Sequence, residues 1–199
     1  MKTPLLILSL ILLVVAGCSK ERELKKSVYV PDAELTDLPA YSEWGYNTFG
    51  AYYDRDLFIL DNNVVPAKVS VTKGETLFIL DGQDVGSKSS SSLTLSFKLS
   101  AFLPKQYSDL LALNKTTYDL TNPLNQVFIT SGTTKTSLTI ISGTLQFKRA
   151  QYLHVDKSPI EVILSGYFEF KAIINDKPVT FSDGRFDVGI QTDNFYLIN

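Results

Sequence analysis

An all-β, antiparallel architecture is what this sequence predicts, and three observations predict it. The first is composition: ten Tyr, twelve Phe and one Trp, with abundant Ser and Thr, suit pleated, half-buried surfaces. The second is periodicity: Leu93, Leu95, Phe97, Leu99 and Ala101 alternate strictly with Thr94, Ser96, Lys98 and Ser100. A period of two marks a strand with one wet face. The third is punctuation, because turn residues recur between short apolar runs and only the stretch near 105–113 suits a helix. Roughly ten or eleven strands are expected, in an antiparallel β-sandwich or, alternatively, a closed or partly open β-barrel. The sandwich is preferred. Its edges need protection, whereas a closed barrel has none.

Taken in order, the chain opens with Lys2 and an apolar run from Leu5 to Ala16 broken only by Ser9. That run is too short to span a bilayer, which takes about 20 apolar residues as a helix. It ends in Val15-Ala16-Gly17-Cys18, which resembles the lipobox of bacterial lipoproteins at every position. The resemblance implies a signal peptide over 1–17, helical only in the precursor, cleavage after Gly17, and a lipid on Cys18. Several acyl chains at about 0.8 kcal/mol per buried CH2 anchor durably, where a single one holds only marginally. Cys18 is the only cysteine, so once it is lipidated no thiol is left for disulfides or thiolate metal sites.

Residues 19–26 carry mixed charge and almost no apolar content, and Pro31 and Pro39 stand in a stretch without periodicity. Residues 18–41 are therefore expected to be the lipidated cysteine and a flexible tether, with one all-β domain over 42–199. Cleavage removes Lys2, which brings the formal charge from −2 to about −3. Such a balance supplies no electrostatic footprint for nucleic acid.

Within the domain, strands are expected at 47–53 and 57–60 around Asp54-Arg55-Asp56, then at 67–72 and 76–80 around Lys73-Gly74-Glu75. Residues 81–92, rich in Gly, Asp and Ser, are expected to form a mobile loop. Pro104 ends the strand that follows, and 108–113 are expected to be a helix capped at or near Ser108. Short strands at 118–120 and 127–130 flank the Asn122-Pro123 turn. Two long ones, 137–149 and 161–174, share a pattern: Ser142-Gly143 and Ser165-Gly166 recur 23 residues apart. Neighbouring antiparallel strands would put these glycines in related surroundings. Asn175-Asp176-Lys177 and Ser182-Asp183-Gly184 are expected turns, separating strands at 178–181 and 185–190. Residues 195–198 add a last one.

Leu164-Ser-Gly-Tyr-Phe-Glu-Phe-Lys-Ala and, further on, Gly184-Arg-Phe-Asp-Val resemble the C-terminal end of a group of Bacteroidota lipoproteins without assigned function. The opening Asn47-Thr48-Phe49-Gly50 is similar to the start of their domain. The resemblance implies an exported all-β lipoprotein, and no activity, substrate or catalytic residue; the expected location is the cell outer membrane, lipid-anchored and either periplasmic-facing or surface-exposed.

The residues themselves offer little catalytic chemistry. His154 is the single histidine, which leaves neither a His/Cys zinc set nor a recognisable Ser-His-Asp triad. A glycoside hydrolase needs two carboxyl groups about 5–10 Å apart. Glu161 and Glu169 share a strand face but would lie about 26 Å apart when extended, and Asp183 and Asp187 are also too far apart along a strand. Asp54, Asp56, Asp61, Asn62 and Asn63 could gather around calcium, yet turn chemistry accounts for them. Arg185 is expected to pair with Asp183 or Asp187. Trp44, Tyr46, Tyr52 and Tyr53 concentrate aromatic surface near the start of the domain and are the candidate ligand-binding residues.

The expectation is a membrane-held, non-enzymatic β-domain that binds a glycan, peptide or protein and needs no cofactor or metal. An accessory subunit of an outer-membrane complex is the alternative, and a glycoside hydrolase-like enzyme a distant third.

Overall fold

The computed structural model describes residues 26–60, 65–86 and 90–198. The expected signal peptide 1–17, Cys18 and the first part of the expected tether, through residue 25, lie outside the described residues.

Among the described residues twelve strands and a short 3-10 helix follow one another: β1 (Thr48–Tyr53), β2 (Asp56–Leu60), β3 (Ala67–Thr72), β4 (Glu75–Val85) and β5 (Ser90–Leu99), then the helix (Tyr107–Leu113). After it come β6 (Thr116–Asp119), β7 (Val127–Ser131), β8 (Thr134–Ser137), β9 (Thr139–Val155), β10 (Ser158–Ile174), β11 (Lys177–Ile190) and β12 (Phe195–Ile198). All belong to one continuous sheet, in the order β6-β9-β10-β11-β1-β2-β4-β5-β7-β8, with β3 on β4 and β12 on β3. Every pairing is antiparallel except that of β12 with β3. The all-β expectation therefore holds, and of its two forms it is the partly open barrel rather than the preferred sandwich, because a single continuous sheet curls into a half-open barrel.

The curl is read from aromatic contacts that skip the ladder. Phe78 of β4 meets Phe147 of β9 at 5.3 Å and Phe186 of β11 at 5.1 Å. Phe97 of β5 meets Phe168 of β10 at 5.5 Å. None of these strands is a ladder neighbour of its partner, so the sheet bends until its two halves share one interior. Each buried ring contributes about 1.5–3 kcal/mol by leaving water. Leu110 and Leu113 of the 3-10 helix, both fully buried, pack into the same core beside β9 and β10. That helix starts one residue before the expected one. Its N-cap is Gln106 rather than Ser108, and the Asp109 carboxylate reaches back over the helix start to accept Gln106 N (3.3 Å) and the preceding Lys105 N (2.8 Å).

Turn chemistry sets the long hairpins. Asp156-Lys157 joins β9 to β10 and Asn175-Asp176 joins β10 to β11, each with two positive φ values (51° and 68°, 49° and 61°). Lys73-Gly74 does the same between β3 and β4. Two-residue loops of this hand match the twist of the strands they connect.

Three expectations are corrected. Residues 81–85 and 90–92 of the expected loop are strand, 87–89 lying outside the described residues: β4 continues to Val85, laddered to β2 on one side and β5 on the other, which overrides the weak strand preference of Gly and Ser. Ser182-Asp183-Gly184 is a bulge inside β11 and not a turn, because both flanks pair with β10. Asp183 takes the positive φ of 53° and the register slips between Phe168 and Phe170. The expected strand 137–149 is divided, since β8 ends at Ser137 on β7 while β9 begins at Thr139 and reaches Val155.

A fourth difference matters most for function. Much of the stretch read as tether lies against the outward face of β1 and β11. Leu38 is completely buried. Val28 N donates to Tyr46 O (2.8 Å), Ala40 N to Val30 O (2.7 Å) and Asp32 N to Leu38 O (2.9 Å). Gly50 of β1 makes room for it, since a Cβ there would come within 2.6 Å of Pro39. Residues 28–46 thus form a strap across the sheet.

Candidate functional site

The strap is fixed to the barrel by one carboxylate. Asp187, on the outward side of β11 and 2% exposed, accepts the backbone N–H groups of Trp44 (3.2 Å), Gly45 (2.9 Å) and Tyr46 (3.1 Å). The hydroxyls of Ser42 and Ser165 also donate to it, the latter at 3.0 Å. Gly45 adopts φ of 75°, which lets consecutive N–H groups converge on one anion. Gln151 of β9 holds the other side of the loop by donating from Nε2 to Glu43 O at 2.7 Å. Between these two clamps the Trp44 side chain points outward and is 73% exposed.

Beside Trp44 lies a hollow of about 370 Å3 lined by Tyr41, Ser42, Glu43, Trp44 and Gln151. Tyr41 stacks on Tyr167 of β10 with centroids 4.6 Å apart, and its hydroxyl donates to Glu43 Oε1 at 2.8 Å. Burial, then the adjacent Glu43 carboxylate, pushes the Tyr41 phenol well above its ordinary range, so it remains a neutral donor. Burial raises Tyr167 likewise. Beyond Tyr167 a second groove of about 330 Å3 runs over β9, β10 and β11. Trp44, Tyr41 and Tyr167 therefore form an aromatic patch with polar hollows on both sides.

The four aromatic candidates do not converge. Trp44 is the exposed member and Tyr46 is half-buried. Tyr52 and Tyr53 point to opposite faces of β1, as alternation requires. Tyr53 is the inward one, stacked on Phe181 at 4.6 Å. Tyr41, Tyr167 and Gln151, which complete the patch, were not among the candidates. Tyr167 was accessible in principle, since it falls at an outward position between inward-facing Phe168 and the Gly166 turned to the same interior. Tyr41 gave no periodic signal.

The remaining polar candidates are engaged structurally. Arg185 pairs with Asp32 of the strap (2.6 Å) and donates from Nε to the carbonyl of Asp183 (3.2 Å), which corrects the expected pairing with a carboxylate of its own strand. Asp32 is 153 residues away, beyond what local sequence can indicate. Asp187 has its lone pairs taken by the strap and by Ser165 of β10. Glu161 is 2% exposed and accepts Gln191 Nε2 at 2.8 Å, while Glu169 faces solvent eight positions on. His154 is exposed, its ring edge-on to Tyr152 at 5.7 Å. Asp54 closes the β1–β2 turn onto Thr180, accepting its N–H at 2.8 Å. Burial and then the nearby Asp56 raise Asp84 above the usual carboxylate range. Asp61, Asn62 and Asn63 lie outside the described residues. Among the described residues no cluster of three or more His, Cys, Asp or Glu is arranged to hold a metal ion, and no helix is long and apolar enough to cross a membrane.

What the fold and patch define is a class by architecture: a half-open β-barrel with a clamped, outward-facing aromatic surface. Comparison with protein-family models, with curated proteins and with solved structures finds no match for this chain.

Proposed function

We propose that this chain is a lipid-anchored protein of the bacterial outer membrane whose β-domain binds a glycan on the Trp44–Tyr41–Tyr167 patch without acting on it chemically. The observation that carries the binding reading is Trp44, 73% exposed on a loop whose backbone is pinned by Asp187. A large apolar ring costs free energy in water, and a fixed loop removes most of the ordering cost of using it. Stacked and exposed aromatic faces next to Gln151 and Glu43 suit a ligand with one apolar face and a rim of hydroxyls. The anchoring reading is supported by Val15-Ala16-Gly17-Cys18. The non-catalytic reading is supported by Asp187 and Glu161, the buried carboxylates, being held in structural contacts.

Two substitutions in the full chain test the two halves separately. Cys18→Ser is expected to move the protein from the membrane fraction to the soluble one, and unchanged fractionation would remove the anchor. Trp44→Ala is expected to abolish retention on a glycan array, at least about tenfold in affinity, with an unchanged melting temperature. Full retention would remove the patch.

The accessory-subunit reading has an observation of its own. Tyr196, Leu197 and Ile198 of β12 are 44%, 48% and 55% exposed at the C-terminal end of the sheet, where an outer-membrane partner could add a strand. Crosslinking from Leu197 in intact membranes tests it.

A further inference from the structure

The groove beyond Tyr167 has a charge balance that restricts which saccharides it accepts. Its floor is three adjacent strands: Thr144 and Gln146 from β9, Tyr167 and Glu169 from β10, Asp183 and Arg185 from β11. The bulge in β11, where one extra residue stands against β10 and Asp183 takes the positive φ, puts Asp183 in the lining of the groove. Tyr167 presents one ring face to Tyr41 and borders the groove with the rest of its surface. At about 330 Å3 the space is at the small end of ligand pockets, which run from about 300 to 1,000 Å3.

Arg185 is the only cation lining this groove, and its side chain is 10% exposed. Its charge is already matched by Asp32 at 2.6 Å, and its Nε is committed to the carbonyl of Asp183. Glu169 and Asp183 are both exposed carboxylates. The lining of the groove therefore carries net negative charge, with the exposed Lys171 two positions along β10 from Glu169 standing outside it, and the groove keeps hydroxyl, amide and carboxylate groups that bind a diol.

Building on the glycan reading of the Trp44 patch, we infer that this groove is a second subsite of the same surface and that it takes a neutral hexose unit while rejecting a hexuronate. The two sugars differ only at C6, a hydroxymethyl in one and a carboxylate in the other. A neutral sugar places its C–H face on Tyr167 and donates hydroxyls to Glu169 and Asp183. A uronate brings a third negative charge to a site whose one guanidinium is already paired, and like charges at close range discriminate strongly.

The test uses the full chain in detergent, titrated calorimetrically with length-matched pairs: galacto-, gluco- and manno-oligosaccharides against oligogalacturonate, oligoglucuronate and oligomannuronate. The expected result is at least about tenfold tighter binding of a neutral oligomer than of its uronate at low salt. The ratio should shrink in molar salt, where screening acts over about 3 Å. Glu169→Gln with Asp183→Asn, both exposed and outside the core, should narrow the ratio while the fold is retained. Tyr167→Ala should weaken the neutral ligand about tenfold.

Equal or tighter uronate binding overturns the inference and leaves the Trp44 reading in place. So does a ratio indifferent to the Glu169→Gln, Asp183→Asn pair, or a neutral affinity unchanged in Tyr167→Ala. Absence of binding by every oligomer overturns both readings together.

Discussion

Asp187 organises a segment 145 positions away in sequence. An anion taken from water needs its lone pairs satisfied, and the strap folds so that they are, its three backbone N–H groups and the Ser42 hydroxyl joining the Ser165 hydroxyl of β10. Replacing Asp187 by Ala leaves those donors without an acceptor beneath Trp44. The expected cost is about 3 kcal/mol. Limited proteolysis should then cut within residues 28–46 while the barrel stays resistant, and an intact strap in that variant would contradict the assigned role. Asp32 supplies a second fastening with a defined pH dependence. The N–H groups of Leu35 and Glu34, and after them Arg185, hold its carboxyl below the ordinary value of 3.8. A depressed folded pKa gives stability that is present above the unfolded value and lost as pH falls through the folded one. The strap should thus hold at neutral pH and loosen only below about pH 4, a change that Trp44, the single tryptophan, reports by its fluorescence. Loosening at pH 6 would assign the fastening elsewhere.

At the scale of elements, the repeated Ser-Gly motif has a structural reason. Gly143 faces Phe170 across the β9–β10 ladder and Gly166 faces Phe147, so each glycine opposes a phenylalanine of the other strand. Where two strands cross this closely no Cβ fits: one on Gly166 would come within 1.9 Å of Gln146 O, and one on Gly143 within 2.3 Å of Glu169 O. Gly166→Ala is therefore expected to destabilise by about 3 kcal/mol or more, through displacement of the β9 backbone. Gly74→Ala, at φ of 82° with nothing within 4 Å, should cost only about 1 kcal/mol. Chemical denaturation of both compares them directly, and equal losses would mean that close approach is not what the Gly166 position requires. The hairpins were legible because their turn residues carry local conformational demands. Asp183-Gly184 was misleading for the same reason: a left-handed Asp before Gly suits a turn and a bulge equally, and only the neighbouring strands decide between them. Residues 82–85 were misleading in the opposite sense, since their strand character comes from β2 and β5 on both sides and not from their own composition.

Across the whole molecule, alternation and turn spacing were enough to indicate an antiparallel all-β domain. They were not enough to indicate its curl, which depends on contacts such as Phe78 with Phe147 and on bulges whose effect is long-range. The site was legible only at Trp44. Tyr41 lies in a stretch with no periodicity, and its use depends on Tyr167, 126 positions further on. The strap itself reads as linker because its order comes from Asp187, Arg185 and Gly50, none of them nearby in sequence. One consequence concerns how far the domain can stand from a bilayer. If lipid is on Cys18, as proposed, the chain is pinned again from Val28, whose N–H meets Tyr46 O. The leash between the two is then ten residues, at most about 35 Å whatever its conformation. Because it would leave the barrel two residues from Trp44, an anchor on Cys18 would put the aromatic patch toward the membrane. A glycan reaching it would be one that lies close to the lipid surface.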